Sequence, residues 1–328
     1  MSRLADGIYG QDEPLKALYK AFSSNPQGFA LLFSGPSGIG KKLVARAFAQ
    51  DLLCEKNAND IVIQPACGIC GSCLRIAKNQ SESVLLIEPD QDKVNAPIKI
   101  EQAQQILEFL SLRSTKKFRI VIIDQCHMMN TQAANALLKS IEEPPEGTFY
   151  FLITSNISSV LATIKSRCRV LHFKALPLNL MREKAGGPSW VISASRGSFE
   201  KLAELQEVSD DDFRSLSSSL LQEFLFDESF LTENPWREKL KDRNAAARLV
   251  GHWAQFLRDA VFLELKAEDH ILSPDQKISL KKISSVNSQQ LLSLAQECAK
   301  IGFEISQQKD AVLLIESFWV RKENGVFG

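Results

Sequence analysis

The sequence has no net charge, no long hydrophobic segment and no signal-like start. Lys+Arg and Asp+Glu are equal at 39 each, so no overall charge draws the chain to nucleic acid or to an anionic membrane. No uninterrupted apolar run approaches the roughly 20 residues that cross a bilayer. Residues 1–14 lack the apolar core of a secretory signal. These absences predict a cytoplasmic protein with no membrane partner, in which any DNA contact comes from a local patch or from a complex.

The composition is that of an ordinary globular protein, with 45% hydrophobic and 24% charged residues. A chain of 328 residues is long enough for two or three domains. In a reducing compartment, its seven cysteines are expected to be reduced, buried or metal-bound rather than paired in disulfides.

Residues 1–173 alternate short buried strands with amphipathic helices. The expected strands are FALLFSG, VLLIEPD (84–90), FRIVIIDQ (118–125), TFYFLITSN and CRVLHF. Helices are expected before and between them, for example over 12–24 and in TQAANALLKSIEEPP, which two prolines end. This alternation predicts an α/β domain with a mostly parallel sheet covered by helices on both faces.

The pattern changes after Phe173, where no strong buried strand follows. ALPLNLMREKAGGPS is interpreted as a linker and SWVISASRGSFEKLAEL as a short helical pair. From about Asp210 the chain is predicted to form long amphipathic helices. The clearest of them, NAAARLVGHWAQFLRDAVFLELKA, has a predicted core face formed by Leu249, Trp253, Phe256, Leu257 and Val261.

The segment GPSGIGKK (35–42) nearly matches the phosphate-binding motif G-x-x-x-x-G-K followed by Ser or Thr. Gly35, Gly38 and Gly40 would present backbone N–H groups to phosphate, and Lys41 would reach the terminal phosphates. The motif's last hydroxyl normally holds Mg²⁺, but here Lys42 takes its place, and an ammonium repels a metal ion. The alternative, an ordinary glycine turn, is disfavoured because the segment lies between a buried strand and a helix.

The strand FRIVIIDQ ends in Asp124 and Gln125. Asp124 could hold Mg²⁺ through water. A carboxylate at the next position could polarise the attacking water, whereas the amide of Gln125 cannot take a proton at neutral pH. Together with Lys42, this predicts that the chain does not hydrolyse ATP, and it leaves open whether the loop still binds nucleotide.

Four of the seven cysteines, Cys54, Cys67, Cys70 and Cys73, have the spacing C-x12-C-x2-C-x2-C. Four thiolates at such spacing are typical of a closed, tetrahedral structural Zn²⁺ site. The alternative is four reduced, buried thiols. The other three cysteines are isolated and are predicted to be core residues.

In combination, these residues resemble the AAA+ clamp-loader subunits, and among them the delta prime family of bacterial DNA polymerase III. The matching segments are IYGQ (8–11), GPSGIGKK, the four-cysteine insertion, FRIVIIDQCHMMNTQAANALLKSIEEPPEGTFYFLITSN and LATIKSRC (161–168). The resemblance implies an AAA+ domain over 1–173 with a zinc insertion at 54–73, a small helical lid over 174–208 and a helical collar over 209–328. Residues 174–328 match only in length and helical character.

The resemblance also implies a function and partners. The chain would join gamma/tau ATPase subunits and a delta subunit in a five-membered ring that loads the sliding clamp on primed DNA. Arg167, framed by Ser166 and Cys168, would be an arginine finger offered in trans to ATP held by the neighbouring subunit, where its charge stabilises the transferred phosphoryl group. The alternative for Arg167 is a surface salt bridge.

Two further segments have an implied or open role. Thr154 to Asn156 lies where a polar sensor residue is found in active relatives. In RGSFEKL, Glu200 stands in the position of the family's second sensor arginine, unless the alignment shifts by one to Lys201. A glutamate there would direct negative charge toward a triphosphate.

The run RSTKKFR contains Arg113, Lys116, Lys117 and Arg119. It could contact DNA phosphates, although a solvated loop is the favoured interpretation. Two other functions compete with the delta-prime-like one. The first is a gamma/tau-type motor subunit that hydrolyses ATP, which Lys42, Gln125 and Glu200 disfavour. The second is a zinc-dependent DNA-binding module with a vestigial nucleotide fold, which the neutral net charge disfavours.

Overall fold

The computed structural model describes residues 3–57, 64–90, 96–112, 117–207, 211–227, 230–231, 236–237, 240 and 242–327. The chain divides into two compact units. The first comprises 1–185 and 196–201, and the second comprises 186–195 and 202–328. The predicted division into 1–173, 174–208 and 209–328 stays a prediction, and its lid contributes residues to both units.

The first unit contains five strands. They are β1 (Gly28–Ser34), β2 (Val84–Ile87), β3 (Arg119–Ile123), β4 (Thr148–Thr154) and β5 (Arg169–His172). The helices of this unit are α1 (Asp12–Ser24), α2 (Lys41–Leu53), α3 (Gly71–Ala77), α4 (Ile100–Ser111), α5 (Thr131–Glu142), α6 (Ala162–Lys165) and α7 (Leu178–Ala185). Helix α9 (Phe199–Glu207) begins in this unit and ends in the second.

The five strands form one parallel sheet in the order β2-β3-β4-β1-β5. Alternate residues of β1 point to opposite faces, as a period of two requires. Leu31 and Phe33 belong to one buried cluster, with Val44 and Phe48 of α2. Leu32 belongs to another, to which α4 and α5 contribute. The predicted parallel sheet with helices on both faces is therefore confirmed.

Strand order brings the ends of non-consecutive segments together. Because β1 lies between β4 and β5, and β3 lies between β2 and β4, the residues that follow each strand meet at one edge of the sheet. In open parallel sheets ligands bind at this carboxyl edge. The phosphate-loop segment follows β1 there, and Asp124 follows β3.

The described residues of the second unit form helices joined by turns and loops, and they contain no strand. Its helices are α8 (Ser189–Ala194), α10 (Asp211–Phe226), α11 (Arg243–Glu264), α12 (Lys277–Ile283), α13 (Ser288–Ser306) and α14 (Ala311–Glu323). The five predicted core residues of α11 are all buried, which confirms the predicted face. Trp253 is fully buried, and its indole N–H donates to the carbonyl of Ser217 at 2.9 Å.

One interpretation from sequence was wrong. The segment 175–189, interpreted as a linker, contains the two-turn helix α7, which buries Met181 completely. The helix ends where Gly186 and Gly187 adopt positive φ angles of 65° and 101°, a conformation that glycine accepts without strain. The predicted strand over 84–90 ends early, at Ile87, shortly before Pro89, which cannot donate to a sheet. Within the described residues, no helix is long and apolar enough to cross a membrane.

Candidate nucleotide-type site, cysteine cluster and arginine

A cavity of about 660 Å³ lies at the carboxyl edge of the sheet in the first unit. Its lining combines the phosphate-loop segment with residues that follow β2, β3 and β4. The charged lining residues are Lys41, Lys42, Glu88, Asp124 and Glu200. The structure therefore brings the predicted residues Lys41, Lys42, Asp124 and Gln125 to one site, together with Glu88, which was not predicted from the sequence.

The glycines of the loop are needed for its backbone. Gly38 and Gly40 have φ angles of 69° and 96°, which side chains rarely adopt. A Cβ at Gly35 would collide with the carbonyl oxygen of Phe173, so the turn requires close backbone approach. The chain thus forms the strand–loop–helix geometry predicted for a phosphate-binding loop, with α2 starting at Lys41.

Lys41 folds back onto its own loop. Its Nζ donates to the carbonyl oxygen of Gly35 at 2.7 Å and to that of Pro36. Burial lowers the pKa of Lys41 to about 8, although the charges of Asp124 and Glu200 act in the opposite direction. The ammonium is thus already bonded to carbonyl groups of its own loop. A phosphate would have to compete with these carbonyl groups for it.

Lys42 bridges two carboxylates. Its Nζ lies 2.6 Å from Oε1 of Glu88 and 3.0 Å from Oδ2 of Asp124. Burial lowers the pKa of Lys42, but hydrogen bonds and charge from Glu88 and Asp124 outweigh burial and raise it. The side chain is therefore a fixed cation held between the acids that follow β2 and β3. Two carboxylates and a hydroxyl would suit Mg²⁺ at this place, whereas two carboxylates and an ammonium already balance much of each other's charge.

Glu200 closes the loop from the other side. Ser37 donates its hydroxyl to Oε2 of Glu200 at 2.9 Å, and the backbone N–H of Phe199 donates to the carbonyl of Gly38 at 3.0 Å. Since a Cβ on Gly38 would collide with Ser198 and Glu200, this segment packs directly against the loop. Glu200 thus brings a carboxylate to the place where phosphate oxygens would bind.

Gln125 lies exposed after β3 with a left-handed φ of 49°. Its backbone N–H donates to Oδ1 of Asp124 at 2.9 Å. The neighbouring Thr154, at the end of β4, contacts Nδ1 of His127 through its hydroxyl at 3.1 Å and accepts from the N–H of Asn156 at 3.0 Å. Burial lowers the pKa of His127, which favours a neutral ring beside Thr154.

A second cavity of about 240 Å³ adjoins the first and shares Gly38, Gly40 and Leu43 with it. Its other lining residues are mostly apolar or aromatic and include Tyr9, Ile39, Leu176 and Phe199. The rings of Tyr9 and Phe199 are 6.0 Å apart between centroids. A pocket with this lining can accept a flat aromatic group such as a nucleobase.

The four predicted metal ligands cluster. The sulfur atoms of Cys54, Cys67, Cys70 and Cys73 all lie within 4.8 Å of one another, and the Sγ atoms of Cys67 and Cys73 are 4.0 Å apart. Zn–S bonds of about 2.3 Å in a tetrahedron place sulfur atoms about 3.8 Å apart. The four residues therefore fit a metal ion of this coordination.

The backbone around the cluster supports thiolates. The N–H groups of Cys67, Cys70 and Cys73 each donate to a cysteine sulfur at 3.4 Å, as the outer shell of a metal site does. Bonds from the backbone of Ile69 and Cys70 lower the pKa of Cys67 to about 6. Burial raises the pKa of Cys73. The thiolate form of this residue therefore requires a cation nearby.

Arg167 lies just after α6, and 31% of its side chain is exposed. Its Nε donates to Oε2 of Glu142 at 2.5 Å. Its Nη1 donates to the carbonyl of Thr163 at 3.1 Å and to the hydroxyl of Ser166 at 3.4 Å. Of the two interpretations from sequence, the salt bridge is observed, and the trans role of Arg167 stays a prediction. The partner, Glu142, was not predicted.

One residue of the basic run, Arg119, has a structural role. Arg119 donates from Nη1 to the carbonyls of Phe109 and Leu110, and from Nη2 to that of Leu112. These carbonyls lie at the C-terminal end of α4, where the last C=O groups of a helix have no N–H donor within the helix. Arg119 is therefore a helix cap, which does not support its role in DNA contact. Arg113 and Lys116 lie outside the described residues.

Two missed residues had a local signal in the sequence. Glu88 directly follows the apolar segment VLLI, as Asp124 follows FRIVII, so both acids could have been expected at the same sheet edge. Glu142 and Glu143 stand at the end of a helix, where the helix dipole disfavours carboxylates. An acid in such a place suggests a cationic partner.

Comparison with known proteins decides the family. A sequence model of the family described as "DNA polymerase III, delta subunit" matches residues 10–177, just over half of the chain. The chain belongs to this family. The predicted resemblance to AAA+ clamp-loader subunits of DNA polymerase III is thereby confirmed at the level of the family. The match covers the sheet and every residue of the cavity that follows a strand.

Curated relatives include two types of clamp-loader subunit. DNA polymerase III subunit tau of Escherichia coli (strain K12) is 34% identical over 178 residues, which are 54% of this chain and 26% of that protein. DNA polymerase III subunit delta' of Pseudomonas aeruginosa is 36% identical over 155 residues, 47% of this chain and 45% of that protein. The alignments thus span less than half the length of these relatives.

Among solved structures, a DNA polymerase III gamma subunit-related protein from Thermotoga maritima aligns with a TM-score of 0.46. The two sequences are 18% identical, and the alignment covers 94% of this chain and 98% of that one.

Proposed function

We propose that this clamp-loader subunit is delta-prime-like. It assembles with gamma/tau ATPase subunits and a delta subunit in a five-membered ring in the cytoplasm. There it takes part in loading the sliding clamp on primed DNA without hydrolysing ATP at its own site. The observation that carries this proposal is the position of Lys42, whose ammonium lies between Glu88 and Asp124 where a hydrolysing site needs a metal ion.

Three groups act against hydrolysis at this site. Lys42 repels a cation, Gln125 offers an amide in place of a general base, and Glu200 brings a carboxylate to the loop through Ser37. Each of these effects is independent of the others. A triphosphate bound here would have neither charge compensation from Mg²⁺ nor an activated water.

Arg167 supports the second half of the proposal, in which the chain completes a neighbour's site. Its guanidinium is partly exposed and is held by residues of its own unit. An arginine supplied in trans can contribute a factor of about 10³ or more to phosphoryl transfer. The competing interpretation is that the Glu142–Arg167 pair is a surface salt bridge, which would contribute little.

For the cysteine cluster we propose Zn²⁺ in a structural role. All four sulfur atoms converge, so a tetrahedral ion would have no open position for substrate. Cys54 follows α2 and Cys73 lies on α3, so the ion would join these two helices across the insertion.

A gamma/tau-type ATPase is the second candidate, and one observation favours it: subunit tau relatives are as similar to this chain as the delta' relative is. Strong Mg²⁺-dependent ATP turnover by the isolated chain would decide for the second candidate, because a delta-prime-like chain should show none above background.

The test of the proposal uses the assembled loader. A complex with the gamma/tau and delta subunits would be prepared with the wild-type chain, with Arg167→Ala, and without the chain. Clamp- and DNA-stimulated ATP turnover should fall at least about tenfold with Arg167→Ala, since an arginine supplied in trans can contribute about 10³ or more, and gel filtration should show that the complex still forms. Unchanged turnover in an intact complex would overturn the trans role of Arg167.

A further inference from the structure

The guanidinium of Arg167 is bonded through two of its three nitrogen atoms. Nε–H donates to Glu142, while Nη1 donates to Thr163 and Ser166. Among the residues that the structure describes, no hydrogen bond from Nη2 is found. Since a guanidinium has five N–H donors in a rigid fork, this arrangement leaves the N–H groups of Nη2 for a ligand from outside the chain.

Glu142 is the last residue of α5, and Glu143 follows it. Negative charge at this end of a helix is unfavourable because it lies beside the negative pole of the helix dipole. The folding of α5 therefore gives no reason for an acid here. Only Glu142 meets Arg167, and in the described part of the chain Glu143 has no ion pair. We therefore attribute the role of Glu142 to its contact with Arg167.

A free arginine side chain loses considerable rotamer freedom when it binds. A carboxylate on Nε restricts that freedom before the ligand arrives. The Glu142 side chain is 55% exposed, so solvent screens its charge and the pair can adjust when a partner docks.

We propose that Glu142 is the positioning residue of Arg167: by holding Nε–H it fixes the guanidinium so that the N–H groups of Nη2 can bind the triphosphate in the neighbouring subunit. This inference rests on the proposed trans role of Arg167. Positioning affects the transition state more than the ground state when the group acts on charge that develops during reaction. Loss of Glu142 should therefore lower kcat and leave KM for ATP nearly unchanged.

The experiment measures stimulated ATP turnover against ATP concentration in the reconstituted loader. Glu142→Ala should lower kcat at least about threefold, because misplacing a catalytic group by an ångström can cost much more, with KM within about twofold. Glu142→Gln keeps an oxygen that accepts from Nε–H and should restore most of kcat. The matched control is Glu143→Ala, which removes the same charge one residue away and should leave kcat unchanged.

The outcomes separate this inference from the proposed function. If Arg167→Ala lowers turnover and Glu142→Ala does not, Glu142 is no positioning residue although the finger remains. If Arg167→Ala itself has no effect, the trans function fails, and this inference with it. An increase in kcat with Glu142→Ala would show that the acid restrains the arginine, which also overturns the inference. Should Glu142→Ala not assemble, Glu142→Met repeats the test with a side chain of similar length that cannot accept from Nε–H.

Discussion

Replacing Lys42 by Thr should create a divalent-cation site at the carboxyl edge of the sheet. In the wild-type chain the ammonium lies 2.6 Å from Glu88 and 3.0 Å from Asp124. The substitution removes this charge and leaves two carboxylates beside one hydroxyl, which are ligands that Mg²⁺ and Mn²⁺ prefer. We expect the variant to bind Mn²⁺ measurably tighter than the wild type does.

The repulsion between the ammonium and a cation sets the size of the effect. Two unit charges 4 Å apart interact by about 1 kcal/mol in water and about 4 kcal/mol at an effective dielectric constant of 20, and a divalent ion doubles both figures. Because the Lys42 side chain is 41% exposed, the lower figure applies. Removing about 2 kcal/mol of repulsion corresponds to roughly a 30-fold gain in affinity.

The assay is a titration of free Mn²⁺ by electron paramagnetic resonance, with the cysteine cluster loaded with zinc beforehand. Lys42→Met removes the charge without adding an oxygen, so it separates repulsion from ligation. Lys42→Arg keeps the charge and should behave as the wild type. Adding Asp124→Asn to Lys42→Thr should remove the new affinity. A dissociation constant for Lys42→Thr within threefold of the wild-type value would refute the reasoning.

Three further predictions concern stability and metal content. The pKa of Lys41 is about 8 in the folded state and about 10.5 in the unfolded state. Between pH 8 and pH 10.5 the unfolded state therefore binds more protons than the folded state does, so the free energy of unfolding should rise with pH in this range. Urea unfolding should lose this component in Lys41→Met. Elemental analysis should show that Cys70→Ser has lost its metal, and this variant should melt several degrees lower than the wild type. The control variant Cys298→Ser should keep the metal. A fully metallated Cys70→Ser with an unchanged Tm would contradict the site. Trp253→Ala should lower the free energy of unfolding by about 3–5 kcal/mol, and a change below 1 kcal/mol would contradict its core position.

The phosphate-loop fold could be predicted because its determinants are local. Buried strands, glycines at a turn and a helix that starts at Lys41 follow one another within a few residues, and each has its own pattern. The pairing of Lys42 with Glu88 could not be predicted in this way, since 46 positions separate the two residues. Only the sheet order, which places β2 beside β3, brings the second acid to the lysine.

The same reason explains the missed partner of Arg167. Glu142 is 25 positions away from it, and their contact depends on how α5 and α6 pack. Helix α7 was missed for a different reason. Its eight residues, LNLMREKA, carry one fully buried side chain, Met181, so the apolar periodicity is too short to be distinguished from a linker next to the two glycines that end it.

The charges of the candidate site and of Arg167 support one division of labour. Lys41 and Lys42 contribute two positive charges to the cavity lining, and Glu88, Asp124 and Glu200 contribute three negative ones. The lining is therefore formally anionic at neutral pH, and its lysines are already bonded within the chain, which disfavours a triphosphate. Arg167 differs from these lysines, since 31% of its side chain is exposed and its Nη2 has no hydrogen bond within the described residues. A subunit with this charge distribution is better suited to acting on a neighbour's nucleotide than to binding its own.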